Sequence, residues 1–174
     1  MFKRILYTLM ILLALSSIGF ASYRFFESKD NKQETYGYTM IEYEGAKQYV
    51  LSHGNSSTTF LFFCSHNNEN CNYIEDTLYP DVNKRLDNKN MNTLIDYVNI
   101  EPLEDSLKTE NLMADWSINN YPAFVSVSVI DDQLVINNSL VWNSESPINT
   151  NDILAWLQEN GQYEGVINQQ VLMP

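Results

Sequence analysis

The stretch ADWSINNYPAFVSVSV, residues 114–129, places a single proline directly before a strand pattern. A helix pattern over residues 103–116 leads into this stretch. Beyond Pro122, the runs Ala123–Ile130 and Gln133–Val141 have the composition of two strands, and Asp131-Asp132 joins them as a hairpin. The stretch therefore predicts a helix, a proline-containing turn and a β-hairpin, in that order.

The residues before this block alternate between strand and helix patterns. Thr58–Cys64 is aromatic and apolar on both faces, which indicates a buried central strand. After this strand, apolar residues recur every four positions, as in an amphipathic helix, and these are Ile74, Leu78, Val82 and Leu86. Pro80 lies among them and predicts a kink or break in the helix. Two further strands are predicted at 38–43 and 94–100, and a further helix at 45–52. In the helix over 103–116, the predicted buried face consists of Leu107, Leu112, Met113 and Trp116. A last helix is predicted to be capped by Thr150 or Asn151 and to end at Gly161.

This order of elements predicts a mixed sheet with helices on both faces. Helical crossovers produce parallel strand pairs, and the late hairpin supplies an antiparallel edge.

The N-terminus has the composition of a membrane-spanning helix. Lys3 and Arg4 precede an apolar run at residues 5–22, and an aromatic and basic stretch at 23–26 closes it. We expect an uncleaved anchor over residues 1–26, with the rest of the chain beyond the cytoplasmic membrane. The alternative is a cleaved secretory signal, because Gly-Phe-Ala before Ser22 fits a small-x-small cleavage site. Residues 27–37 are polar and form a predicted linker.

Acidic residues dominate the part of the chain after the predicted anchor. Beyond residue 26, seven Lys and Arg residues stand against all 22 Asp and Glu residues, a net charge of −15. Such a surface repels nucleic acid and anionic lipid and favours cationic partners. The remaining residues, about 148, are enough for one domain with its own core.

The element order and the residues around Pro122 resemble the thioredoxin fold. Thioredoxins carry the pattern aromatic, Gly, Ile or Val, any residue, Gly or Ser, Ile or Val, Pro, Thr before their hairpin, and residues 116–123 fall on it without a gap. The family's proline is cis, so the resemblance implies a cis Tyr121-Pro122 bond, which leaves the Tyr121 backbone free to pair with an extended peptide. More narrowly, the chain resembles the membrane-anchored thioredoxin-like accessory proteins of Gram-positive bacteriocin systems.

The cysteines depart from the family pattern. Thioredoxin-like enzymes carry Cys-x-x-Cys where the second strand meets the next helix, and the helix N-terminus lowers the pKa of the first, attacking cysteine. Ungapped alignment with the accessory-protein pattern places Cys64 on a glycine and Asn68-Glu69-Asn70-Cys71 on the motif. In this alignment Cys71 stands at the second, resolving cysteine of the motif. Asn68 stands at the first, nucleophilic cysteine. Because an amide cannot attack a disulfide, the resemblance implies a degenerate site.

Four interpretations of the only two cysteines remain open. Cys64 could replace the missing nucleophile in a displaced redox pair, although nothing near it lowers its pKa and Glu69 would raise it. The pair could form a structural disulfide worth about 2 kcal/mol. Cys64, His66 and Cys71 could hold a metal ion. Finally, the two thiols could be separate and buried.

We therefore expect an α/β, thioredoxin-like domain at 38–161 behind the anchor, followed by a tail at 162–174. Its expected function is that of an extracytoplasmic accessory or binding module, with an exported peptide or protein held against Asn68, Tyr121 and Pro122. The alternative is a thiol–disulfide oxidoreductase that acts on exported proteins through Cys71 and Cys64. We expect no cofactor, no metal and no nucleic-acid partner.

Overall fold

The computed structural model describes residues 39–86, 89–165 and 167. Its strands are β1 (Met40–Glu42), β2 (Thr58–Cys64), β3 (Asp96–Asn99), β4 (Ala123–Ile130) and β5 (Gln133–Val141). Its helices are α1 (Tyr43–Ser52), α2 (Glu69–Tyr73), α3 (Tyr79–Asn83), α4 (Met91–Leu94), α5 (Glu101–Asp105), α6 (Asn111–Trp116) and α7 (Thr150–Glu159), with a π-helical turn at Ile74–Leu78. The predicted anchor and linker lie outside the described residues. Within those residues, no helix combines the length and the apolar character that crossing a membrane requires.

The five strands form one mixed sheet in the order β1-β3-β2-β4-β5. Strands β1 and β2 each run parallel to β3, whereas β4 is antiparallel to β2 and β5 is antiparallel to β4. The predicted mixed sheet with an antiparallel hairpin at one edge is thus confirmed, and the arrangement is the thioredoxin-like fold that the sequence resembles. The hairpin turns at Asp131 and Asp132, with φ values of 51° and 59°, the left-handed conformation that tight hairpins require.

Strand β2 lies at the centre of the sheet because both of its faces are apolar. Leu61 and Phe63 point into one core, which α1 and α6 cover with residues such as Val50 and Trp116. Phe62 and Cys64 point into the other core, which α7 and the segment from α2 to α3 cover. The core therefore has two layers, one on each face of the sheet, as helices packed on both sides require.

The helix after β2 is irregular where Pro80 predicted a kink or break. A proline within a helix donates no hydrogen bond and collides with the carbonyl four residues earlier. The π-helical turn Ile74–Leu78 ends two residues before Pro80, and the Tyr79 N–H bonds to the Ile74 carbonyl, five residues back. Pro80 then lies in the first turn of α3, where its missing N–H is tolerated.

Four predicted elements have different boundaries in the structure. The first strand, expected at 38–43, is Met40–Glu42, and the helix expected at 45–52 begins at Tyr43. The strand expected from residue 94 begins at Asp96, because the Asn90 side chain accepts from the Asn92 N–H and caps the helical turn α4 instead. The last helix is capped by Asn149, and not by Thr150 or Asn151, since Asn149 forms a capping box with Asp152. The expected stop at Gly161 is confirmed by its φ of +67°.

The single helix predicted over residues 103–116 is wrong. The chain forms two short helices there, α5 and α6, and Leu107 between them has a φ of 56°, which no helix continues through. As a result Leu107 is 85% exposed and Met113 is 52% exposed, against the expectation that both are buried. Leu112 and Trp116 are buried, as predicted.

Candidate functional site

The two cysteines form a disulfide that joins the end of β2 to α2. The Cα atoms of Cys64 and Cys71 are 5.8 Å apart, and both residues are 0% exposed. The Ser65 N–H donates to Cys71 Sγ at 3.3 Å. The interpretation as two separate thiols is therefore wrong.

The metal interpretation gains no support from the described part of the chain. Both sulfurs are used in the disulfide, and no three His, Cys, Asp or Glu side chains among residues 39–86, 89–165 and 167 are grouped to hold a metal ion. His66 stacks on Tyr97 instead, with ring centroids 4.9 Å apart and an interplanar angle of 10°.

Asn68 caps the N-terminus of α2. Its Oδ1 accepts from the N–H groups of Asn70, at 2.9 Å, and Cys71, at 3.3 Å. Asparagine is among the preferred residues at this position because its side chain satisfies N–H groups that have no partner within the helix. In a redox-active member of this fold, such groups would stabilise a thiolate. Here the N–H groups of Asn70 and Cys71 donate to the Asn68 side chain instead.

A polar network beside the disulfide brings Asn68 and Tyr121 together with Glu104 of α5. Ser65 Oγ donates to Glu104 Oε2 at 2.5 Å and accepts from the Asn67 N–H at 3.2 Å. The Tyr121 hydroxyl donates to Glu104, and the Asn68 side chain donates to the Tyr121 oxygen. Two of the three predicted binding residues, Asn68 and Tyr121, are thus neighbours in the structure.

The environment of Tyr121 favours its neutral form. Burial of the phenol, and then the hydrogen bond and negative charge of Glu104, raise the pKa of Tyr121 to about 12. The hydrogen bond from Asn68 acts in the opposite direction. Ser65 and Glu104 were missed by the sequence reasoning, because they lie 39 residues apart and no local pattern links them.

The Tyr121-Pro122 peptide is cis, as the resemblance implied. Pro122 is buried, and its carbonyl accepts from the Trp142 N–H at 2.9 Å. Asn120 Nδ2 donates to the Trp142 carbonyl at 3.0 Å, which ties the loop before Pro122 to the end of β5. Within residues 39–86, 89–165 and 167, the backbone N–H and C=O of Tyr121 make no hydrogen bond to another backbone group.

A groove of about 380 Å³ lies between α6 and the loop before Pro122. The groove is lined by apolar and polar side chains and by one acidic side chain. The lining residues are Thr109, Glu110, Leu112, Met113, Ile118, Asn119, Asn120 and Tyr121. The groove reaches Tyr121, so it borders the polar network beside the disulfide.

Comparison with solved structures finds thioredoxins. The thioredoxin of Trichomonas vaginalis is 12% identical with a TM-score of 0.46, over 72% of this chain and 99% of that chain. Thioredoxin f2 of Chlamydomonas reinhardtii is 10% identical with a TM-score of 0.48, over 73% and 99%. A thioredoxin from Thermus thermophilus is 16% identical with a TM-score of 0.45, over 71% and 87%. No family model and no curated protein matches the sequence. At these identities the likeness says nothing about activity.

Proposed function

We propose that this chain is a membrane-anchored, extracytoplasmic binding module that holds exported peptides and performs no thiol–disulfide exchange. The observation that carries the proposal is the burial of the disulfide, since Cys64 and Cys71 are both 0% exposed. Exchange begins when a thiolate attacks a disulfide sulfur, so its rate depends on access to that sulfur. A folded domain with this bond offers no sulfur to a partner.

The N-terminus of α2 supports the same conclusion. A nucleophilic cysteine needs free N–H groups or a cationic neighbour to lower its pKa. Asn68 occupies the capping position, and its side chain takes the N–H groups of Asn70 and Cys71. The residue that would attack is therefore an amide that stabilises the helix.

Peptide binding would use what remains at this end of the sheet. The backbone of Tyr121 has no backbone hydrogen-bonding partner among the described residues, and an extended peptide pairs with such groups as an added strand does. Asn68 and Tyr121 are adjacent through their side chains, so a bound peptide would cross both. The net charge of −15 beyond residue 26 favours a cationic peptide.

One observation favours the alternative, a thiol–disulfide oxidoreductase that uses Cys64 and Cys71. The two residues do form a disulfide, which is the state that an oxidant would need. The two functions differ in what holds the partner, a covalent bond in one and noncovalent contacts in the other.

The test combines a redox assay with peptide capture by the purified full-length chain. We expect no reduction of insulin disulfides by the wild type. The double variant Asn68→Cys/Cys64→Ala, which restores Cys-x-x-Cys spacing, should gain activity. The immobilised wild-type chain should capture exported peptides equally well with and without reductant. The variant Cys64→Ala/Cys71→Ala should capture them as well as the wild type does. Capture that requires both cysteines, together with insulin reduction by the wild type, would establish the oxidoreductase instead.

A further inference from the structure

The groove beside α6 combines an apolar floor with a single charged residue. Leu112 and Ile118 are almost fully buried beneath it, while Met113 is 52% exposed at its side. Glu110 is the only charged residue among those that line it. Methionine is unbranched and polarisable, so it adapts to apolar side chains of different shapes.

Two exposed apolar side chains lie in α6 or shortly before it. Six large apolar residues of the described chain are notably exposed, and Leu107 and Met113 are two of them. Exposed apolar surface beside a groove is typical of a binding site. The volume, about 380 Å³, is within the usual range for pockets that hold small ligands.

The charge around the groove is negative. Between residues 101 and 116, Lys108 is the only base, against five acids, which are Glu101, Glu104, Asp105, Glu110 and Asp115. Of these, Asp115 is paired with Lys47 at 2.7 Å, and Glu104 is engaged by Ser65 and Tyr121. Glu110 lines the groove and is exposed, so its charge is available to a ligand.

We propose that this groove selects peptides in which a large apolar residue stands next to Lys or Arg. The apolar side chain packs on Leu112, Met113 and Ile118, and the cation lies beside Glu110. The inference rests on the proposed peptide-binding function and names the class of peptide. Tyr121 lines the same groove, so a peptide strand paired with the Tyr121 backbone reaches the groove within one or two residues, at about 3.3 Å per residue.

The test measures binding of three ten-residue, fluorescein-labelled peptides to the full-length chain by fluorescence anisotropy. The peptides share an uncharged framework with one Leu, followed by Lys, Gln or Glu. We expect the Lys peptide to bind about two- to fivefold more tightly than the Gln peptide at low salt, the range of an exposed ion pair. The Glu peptide should bind with the lowest affinity of the three. The preference should shrink at high salt because exposed charges are screened.

Two variants, each with a matched control, locate the selectivity. Glu110→Lys should abolish or reverse the preference for the Lys peptide. Glu159→Lys makes the same change of charge on α7, which packs on the opposite face of the sheet, and should keep the preference. Met113→Ser should weaken the binding of all three peptides by about two- to fourfold, because apolar contact is lost. Met40→Ser, at a similarly exposed methionine on β1, should not.

The outcomes separate this inference from the function on which it rests. If the wild type binds all three peptides equally, or if Glu110→Lys behaves as Glu159→Lys does, the groove does not select cations and the inference is wrong, while the binding function stands. If none of the peptides binds and capture of exported peptides also fails, the proposed function is wrong and the inference falls with it.

Discussion

Removing the buried disulfide should destabilise the domain and leave peptide binding in place. Cys64 and Cys71 are seven positions apart, so the bond closes a loop of eight residues. In the chain-entropy treatment, such a loop restricts the unfolded chain by about 2.5 kcal/mol at 25 °C, a factor of about 70 in the folding equilibrium. Replacement of both residues by alanine also removes two fully buried sulfur atoms, which brings the expected loss to roughly 3–4 kcal/mol.

Urea unfolding of the wild type and of Cys64→Ala/Cys71→Ala measures this loss. The wild type unfolded in the presence of reductant keeps its sulfur atoms, so it should lose only the loop contribution, about 2.5 kcal/mol. The difference between the two experiments isolates the packing contribution. A loss below about 1 kcal/mol with reductant would refute the loop-closure reasoning. Loss of peptide capture in a double variant that remains folded would refute the claim that binding needs no sulfur.

Three further predictions concern other parts of the chain. Asn68→Ala should lower the free energy of unfolding by about 1 kcal/mol, and Asn68→Ser should lower it less, because serine also caps a helix and adds no charge beside Glu104; equal unfolding curves for wild type and Asn68→Ala would contradict the capping role. The pKa of Tyr121 is raised to about 12, above about 10 in the unfolded chain, so its contribution to stability is complete below pH 10 and is lost as the pH rises through about 12. The difference between the absorbance titrations of wild type and Tyr121→Phe should show this late transition, and Glu104→Gln should move it to lower pH. A transition near pH 10 in that difference, while the domain remains folded, would exclude the contact. The full-length chain should fractionate with membranes at its unprocessed mass, whereas a soluble product that begins near Ser22 would establish a cleaved signal.

The parts of the fold that follow from local sequence were predictable. Strand β2 and the hairpin β4–β5 have the predicted boundaries, because runs of apolar and β-branched residues and a two-residue connection are short-range signals. The cis bond before Pro122 was predictable only through the resemblance, since local sequence rarely distinguishes the two isomers.

The parts that depend on distant residues were not predictable. The split between α5 and α6 occurs at Leu107, whose left-handed conformation no apolar spacing reveals. The contact between Ser65 and Glu104 depends on how α5 docks against the end of β2. The disulfide remained one of four interpretations because its formation requires the end of β2 and the start of α2 to come within about 7 Å, a distance that only the folded chain sets.

The π-helical turn Ile74–Leu78 also accounts for the spacing of the apolar stripe that crosses it. In a regular α-helix, residues four positions apart are rotated by about 40° from one another, so the two steps from Ile74 to Val82 add up to about 80°. Val82 would then lie well away from the side of the helix that Ile74 occupies. A turn with i→i+5 bonds holds more residues and offsets this rotation, and Ile74, Leu78, Val82 and Leu86 all pack in the same core cluster. The π-helical turn thus lets apolar residues spaced four positions apart face one core across the irregular stretch between α2 and α3.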